Sequence, residues 1–220
     1  MINQNTTEVL GLFPTPVFTT VYTEGNLNDT IKFLDKSKMI DSGKANEYGL
    51  HSQDTYILEN KECKPLRDFI MECILHFGKE ILMYDYDEYS FSQSWITHKI
   101  PGQHHTMHTH PNSLISGVFY YGEEDPDIPA ISFHKMVGGV NVSYLSPMYQ
   151  ADRRKSQYAW DVFHINYSSG LLLLFPSHFF HSVPVNKSNK VRKSIAFNIL
   201  PKEKIGDKDN LTELLFKKVV

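Results

Sequence analysis

The sequence predicts an α+β fold in which N-terminal helices buttress a jelly roll. From residue 64 to residue 83, apolar side chains recur every three or four positions, as on one face of a helix. After Tyr84 the period shortens to two, and turn residues recur at short intervals, which indicates antiparallel strands. A helical first part followed by many short strands is typical of one domain built on a sandwich or jelly roll.

The chain of 220 residues is long enough for one sizeable domain, and we expect a single domain over residues 1–220. Residues 1–89 should form a helical buttress with an edge strand, and residues 90–202 the jelly-roll core. Residues 136–169 show no core pattern. An insertion of this length between strands predicts a lid or binding loop, although a partly ordered insertion is an equal alternative.

The first elements follow from local signals. Residues 9–22 are rich in β-forming residues but carry Pro14 and Pro16, which predicts an edge strand because proline cannot donate to a ladder. Asn26 can cap the helix that follows, which should fade near Ile40.

A short strand is expected at Thr55–Leu58, and the main helix from about Lys64 to Met83, with its apolar stripe against a sheet. The alternating segments predict strands at about 90–100, 114–121, 130–135, 170–175, 182–185 and 191–200.

Composition narrows the class of protein. The net charge is −3, with no long basic run, which argues against a nucleic-acid partner. No stretch has membrane-spanning length, and no signal-peptide pattern precedes the first strand. Two cysteines cannot form a disulfide framework, so we expect a cytoplasmic protein with no membrane partner. The sequence leaves a homodimer open.

Five of the eleven histidines lie between His98 and His110, and His108 and His110 are spaced i, i+2. In an extended segment such residues point to one face. Two imidazoles on one face suit a transition metal better than a core, since each ring nitrogen needs a partner. His104 and His105 are nearby alternatives.

A second histidine signal follows the apolar run Leu171–Phe175 and Pro176. His181 directly precedes a new β-rich segment, which places it at the mouth of a strand and makes it the third candidate ligand. His178 is the alternative. A half-buried histidine with no metal is an equal interpretation of His181 taken alone.

The third signal is Arg192-Lys193-Ser194, which enters the last predicted strand. Arg192, Ser194, Ala196 and Asn198 share one strand face by alternation. If this face points inward, the guanidinium of Arg192 would bind an anion, and a carboxylate matches its two-pronged geometry. A surface arginine paired with an acidic residue is the alternative.

Taken together, these segments resemble the non-haem Fe(II)- and 2-oxoglutarate-dependent oxygenases, and more narrowly the prolyl-hydroxylase-like 2-oxoglutarate–Fe(II) oxygenases of bacteria and marine phages. The matching stretches are Leu12–Val17, Ser94-Trp95, His108-x-His110-Pro111-Asn112-Ser113, Ser116–Tyr121, Phe175-Pro176-Ser177-x-x-x-His181 and Arg192-x-Ser194-Ile195-Ala196-Phe197-Asn198.

The resemblance implies a double-stranded β-helix and a dioxygenase that uses Fe(II), 2-oxoglutarate and molecular oxygen, usually to hydroxylate a substrate with release of succinate and CO2. It places the iron on His108, His110 and His181, and the far carboxylate of 2-oxoglutarate on Arg192 and Ser194. A phage-encoded chain would act in the host cytoplasm.

Other residues near these stretches have two interpretations each. Asn112 and Ser116 would hydrogen-bond the co-substrate or cap loops. Tyr120 and Tyr121 point to opposite faces, so at most one reaches the site, and Tyr120 is our candidate. Trp95 would stack on substrate or pack in the core.

One departure from the resemblance concerns the metal. Most of the wider superfamily has a carboxylate where His110 stands, because the usual facial triad is two histidines and one carboxylate. Either three histidines hold the metal, or a carboxylate outside the motif completes the site. The substrate, a small molecule or a peptide, is not identified by the sequence. A cupin-like metalloenzyme without 2-oxoglutarate and a non-catalytic metal-binding jelly roll are the alternative functions.

Overall fold

The computed structural model describes residues 11, 14–41, 43, 45–135 and 160–216. Its helices are α1 (Asn28–Lys36), α2 (Ala45–Tyr48) and α3 (Lys64–His76). Its strands are β1 (Phe18–Val21), β2 (Met39–Ile40), β3 (Leu50–Ser52), β4 (Tyr89–Lys99), β5 (His105–His108), β6 (Ile115–Tyr120), β7 (Pro129–His134), β8 (Val162–Asn166), β9 (Leu171–Pro176), β10 (His181–Val183), β11 (Arg192–Pro201), β12 (Lys204–Ile205) and β13 (Leu214–Leu215).

The strands form two main antiparallel sheets. The major sheet has the order β1-β9-β6-β11-β4-β3-β2, and the minor sheet has the order β5-β10-β7-β8. A two-stranded ribbon of β12 and β13 lies outside both. The predicted α+β jelly roll is confirmed, and β1 is the predicted edge strand. None of the helices in the described part of the chain has the length and apolar run that a bilayer crossing requires.

Strand β9 illustrates that both faces of the major sheet are buried in apolar cores. Leu172 and Leu174 pack in a core shared with α1 and α3, whereas Leu171, Leu173 and Phe175 pack in a second core toward the minor sheet. Successive strand residues point to opposite faces, so a run of apolar residues without alternation indicates burial on both sides. Burial of each such side chain contributes roughly 1.5–3 kcal/mol.

The main helix closely matches its prediction. Pro65 occupies the first turn of α3, where its missing N–H costs little. Leu66, Ile70 and Ile74 are fully buried against the major sheet. The helix continues as one π-helical turn over Phe77–Ile81, so the helical stretch ends close to the predicted boundary.

The first helix is shorter than predicted. Asn26 does support its start, since its side-chain oxygen accepts a hydrogen bond from the N–H of Asn28 at 2.7 Å. However, Ser37 adopts an extended conformation and ends α1. Residues 39–40 then pair with β3 as the short strand β2 instead of extending the helix to Ile40.

The strand predicted at Thr55–Leu58 is wrong. Ile57–Glu59 form a 3₁₀ turn. The side chain of Asp54 accepts a hydrogen bond from the N–H of Tyr56 at 2.8 Å, which favours a turn over an extended strand. The hydroxyl of Ser94 accepts another from the N–H of Leu58.

The predicted lid falls largely outside the described residues, which omit 136–159. Its final part was assigned wrongly, because Val162–Asn166 form strand β8 and pair with β7. The side chains of Phe163, His164 and Asn166 are exposed, so the strand lacks the apolar alternation that would have predicted it.

Candidate active site

A cavity lies between the two sheets, beside the edge of the minor sheet that β5 and β10 form. Strands of both sheets contribute to it. Polar and aromatic side chains on its wall are Trp95, Thr97, Lys99, His105, His108, His110, His181, Arg192 and Ser194. None of the described residues that line this cavity is an aspartate or a glutamate.

Three histidines converge in the cavity. One ring nitrogen from each of His108, His110 and His181 lies within 4.8 Å of the others. His108 ends β5 and is the direct partner of His181, the first residue of β10. His110 lies two residues beyond β5, where its N–H donates to the carbonyl of Ser177 at 3.0 Å. The ladder and this hydrogen bond therefore hold all three rings on one side of the cavity.

The hydrogen bonds of the three rings fix which nitrogen is free. The Nδ1 atom of His108 lies 2.8 Å from the carbonyl oxygen of Thr106, and that of His181 lies 2.8 Å from the carbonyl oxygen of Phe179. A carbonyl oxygen can only accept, so each Nδ1 carries the proton. Each Nε2 is therefore left with its lone pair for a metal ion.

His110 follows the same pattern with a side chain as its partner. Its Nδ1 donates to Oδ1 of Asn198 at 2.5 Å. That oxygen also accepts a hydrogen bond from the hydroxyl of Ser116 at 3.1 Å. Partners of this kind orient metal-binding histidines and set their tautomer.

Burial keeps the three imidazoles neutral. Burial and the neighbouring His108 lower the pKa of His181 to about 3. Burial likewise lowers the pKa of His108 and of His110, although the hydrogen bond from His110 to Asn198 opposes this. Neutral imidazole is the form that binds a metal, so the cavity maintains the competent state at neutral pH.

The alternative histidines occupy different places. His178 is exposed in the turn before β10, and His104 faces Glu47. His105 lines the cavity, with its ring stacked between those of Tyr48 and His108, at centroid distances of 4.9 and 4.4 Å. The geometric triad does not include any of the three.

Arg192 and Ser194 both face the cavity and are almost fully buried, with 2% and 1% of their surface exposed. The guanidinium donates from Nε to the carbonyl of Pro129 and from Nη1 to the hydroxyl of Ser194, both at 2.9 Å. It also lies 5.0 Å from the ring centre of Tyr120. A planar fork held at two points is prepared to bind an anion on its remaining donors.

The remaining predicted site residues are Tyr120, Asn112 and Ser116. Tyr120 is buried beneath Arg192 in the core between the sheets. Asn112 is exposed in the turn before β6, with a φ of 55°, and does not line the cavity. Ser116 acts through Asn198, as described above.

Trp95 lies at the junction of the cavity and an adjoining cleft. Its indole stacks on the ring of His110, with a centroid distance of 6.1 Å and an interplanar angle of 28°. Gln93, Trp95 and Thr97 all face the cleft, as strand alternation predicts.

Two residues of the site, Asn198 and Lys99, are not among the candidates that the sequence predicts. Asn198 shares a strand face with Arg192 and Ser194 by alternation, but the sequence alone gives it no partner. Lys99 is 2% exposed and lines the cavity beside Arg192, its direct partner across β4 and β11. Lys99 follows Trp95 and Thr97 at the same spacing of two residues, and this spacing is the sequence signal that puts it on their strand face.

Known proteins agree with this architecture. A sequence model of the family described as "Putative 2OG-Fe(II) oxygenase" matches residues 93–198. No protein among those with curated descriptions matches the chain.

Among solved structures, a Pseudomonas putida prolyl-4-hydroxylase is similar with a TM-score of 0.55 and 12% identity, over 84% of this chain and 92% of that one. HygX from Streptomyces hygroscopicus, solved with nickel and 2-oxoglutarate bound, gives a TM-score of 0.52 and 10% identity, over 85% of this chain and 83% of that one. SnoN, an α-ketoglutarate-dependent epimerase from nogalamycin biosynthesis, gives a TM-score of 0.59 and 8% identity, over 86% and 77%.

At these identities the solved structures show a common fold. The family match covers all three converging histidines and Arg192. Residues 93–198 of this chain therefore match the 2-oxoglutarate–Fe(II) oxygenase family in sequence, and the solved structures of that family share its fold.

Proposed function

We propose that the protein is a non-haem Fe(II)- and 2-oxoglutarate-dependent dioxygenase that hydroxylates a small molecule or the side chain of a peptide or amino acid. The observation that carries the proposal is the pairing of two features in one cavity. A cluster of three neutral imidazoles offers its lone pairs inward, and a buried guanidinium faces the same space with no acidic side chain among the described lining residues.

The residues present fit an iron ion. Imidazole nitrogen is a suitable ligand for Fe(II), and His108, His110 and His181 would hold it. Three protein ligands would leave positions on the metal for a chelating co-substrate and for oxygen. The absence of a carboxylate from the described lining favours the three-histidine set over one completed by an outside carboxylate.

The residues also fit 2-oxoglutarate. Arg192 has donors left after its bonds to Pro129 and Ser194, and an unpaired buried cation is costly, so a carboxylate stabilises it. When bound, iron and 2-oxoglutarate would supply the oxidising chemistry together with molecular oxygen: the co-substrate would lose CO2 and take one oxygen atom to become succinate, and the other oxygen atom would enter the substrate.

The chain's own contribution is to bind and orient. The two-strand ladder holds His108 and His181 in register, Asn198 orients His110, and Arg192 fixes the direction of the co-substrate. Trp95 and the cleft beside it offer a surface for the substrate.

The test is a screen of small molecules and peptides with the iron-loaded protein, with succinate release and product mass as the readouts. We expect succinate in amounts equal to a product heavier by one oxygen atom. Succinate with a product of unchanged mass would contradict hydroxylation and point to a different reaction, such as the epimerisation named for SnoN. No consumption of 2-oxoglutarate with any substrate would contradict the proposal.

A further inference from the structure

Among the described residues that line the cavity, only Lys99 and Arg192 carry an amine or a guanidinium group. Only 2% of its surface is exposed, although lysine is almost never fully buried unless it is paired. Its ammonium donates to the backbone carbonyl of Tyr48. That bond satisfies one of three donors and supplies no negative charge.

A neighbouring positive charge makes the burial of the Lys99 ammonium still less favourable. Arg192 is its partner across β4 and β11 and repels it electrostatically. In the described part of the chain, the ion pairs of the structure include neither Lys99 nor Arg192. Two buried basic side chains therefore share one cavity, and neither has an acidic partner among the described residues.

We propose that Lys99 and Arg192 together bind the far carboxylate of 2-oxoglutarate, so that this carboxylate is held by two cations. The inference rests on the proposed function, because it assigns a further binding residue to the same co-substrate. Removing two like charges from water side by side is unfavourable, and a carboxylate bound to both offsets the repulsion. The bond from Lys99 to Tyr48 also ties α2 and the cleft to the carboxylate pocket.

A purely structural role is the alternative for Lys99. In that case its function would be to fasten the backbone at Tyr48, and its charge would not matter. Lys99→Gln separates the two roles, since glutamine keeps a donor for the carbonyl but carries no charge. Lys99→Met removes both, and Lys99→Arg retains the charge.

The experiment is calorimetric titration of the Fe(II)-loaded protein under nitrogen with two ligands. One is 2-oxoglutarate, and the other is 2-oxopentanoate, which has a methyl group in place of the far carboxylate. Lys193→Met is the matched control, because Lys193 is the next residue after Arg192 but pairs with Asp35 outside the cavity.

We expect Lys99→Gln and Lys99→Met to weaken 2-oxoglutarate binding by about tenfold or more, as the loss of a hydrogen bond to a charged group implies. Both should bind 2-oxopentanoate as the parent does. Lys99→Arg should recover most of the affinity for 2-oxoglutarate, and Lys193→Met should not change it.

Parent-like binding of 2-oxoglutarate by Lys99→Gln would overturn the inference and leave the proposed function standing. Equal weakening of both ligands would also overturn it, because the effect would then not involve the far carboxylate. If the parent protein itself bound 2-oxoglutarate no better than 2-oxopentanoate, the carboxylate pocket and the proposed function would both fall.

Discussion

His108 and His181 are direct partners across β5 and β10, and their ring centroids lie 4.3 Å apart. The backbone ladder thus brings together two candidate ligands that are distant in the sequence. His110 completes the set from a turn that is tied to Ser177. A site built on paired strands is held more rigidly than one built on loops, so the rings are positioned before a metal arrives.

Removal of any one of the three histidines should abolish stoichiometric metal binding, because a site with two remaining ligands binds far more weakly. The variants are His108→Ala, His110→Ala and His181→Ala, and the measurement is iron per protein after dialysis. His178→Ala is the matched control three residues from His181, and it should keep its iron. The assignment is wrong if His178→Ala loses the metal while His181→Ala retains it.

Asn198→Ala should weaken metal binding about ten- to hundredfold without abolishing it, as expected when the partner of a metal-binding histidine is lost. The side chain of Asn198 is the acceptor that fixes the tautomer of His110. Metal affinity is measured by competition with a chelator.

The control for this variant is Ser92→Ala. The hydroxyl of Ser92 donates to the backbone carbonyl of Asn198, away from His110. This change should leave metal affinity unaltered. Equal affinities for Asn198→Ala and the parent would mean that His110 is either not a ligand or is oriented by other contacts.

Arg192→Ala should raise the dissociation constant for 2-oxoglutarate by about two orders of magnitude, the equivalent of roughly 3 kcal/mol. Arg192→Lys should restore binding only in part, because lysine lacks the planar fork. Ser194→Ala should weaken 2-oxoglutarate binding less than either Arg192 variant, because the guanidinium stays in place. The change removes only a hydroxyl, which accepts a hydrogen bond from Arg192 and bonds to Thr97 at 2.9 Å.

The measurement is titration of iron-loaded variants under nitrogen. Iron binding should survive all three changes, which separates a carboxylate role from damage to the metal centre. Undiminished binding of 2-oxoglutarate by Arg192→Ala would remove Arg192 from the site.

The amine of Lys99 should contribute increasing stability to the metal-free protein as the pH rises above neutrality. Burial and the charge of Arg192 lower the pKa of Lys99 from 10.5 to about 7. Between these values the unfolded chain binds a proton that the folded chain does not, so the free energy of unfolding rises with pH. Lys99→Met should lose this part of the rise.

The comparison uses urea unfolding of the metal-free parent and Lys99→Met at pH 7 and pH 9. Other groups that titrate in this range contribute to both proteins and cancel in the difference. Identical changes with pH in the two proteins would show that the amine of Lys99 has an ordinary pKa in the folded state.

The sequence is sufficient to predict the jelly roll and to identify residues of β4 and β11 that share a strand face. The i, i+2 spacing of Arg192 and Ser194 places both side chains on one face wherever the strand lies, and the structure shows that this face is the inner one. Strand β5 was not predicted, because it is a histidine-rich segment with little apolar alternation.

Features that depend on contacts between distant segments cannot be predicted from the sequence alone. Alternation puts Lys99 on the same strand face as Trp95 and Thr97, but its burial beside Arg192 depends on the register between β4 and β11. The pairing of Asn198 with His110 likewise joins two segments whose proximity only the fold reveals. The strand predicted near Thr55 failed because one hydrogen bond from Tyr56 to Asp54 favours a turn there.

The central claim is that iron on the three histidines and 2-oxoglutarate on Arg192 meet in one cavity. Anaerobic addition of 2-oxoglutarate to the Fe(II)-loaded protein tests it most directly, through the weak visible charge-transfer band that chelation of the iron produces. We predict that the band appears for the parent and for His178→Ala, is absent for His181→Ala, and needs much higher 2-oxoglutarate for Arg192→Ala. An iron-loaded parent that gives no band at saturating 2-oxoglutarate would contradict the account.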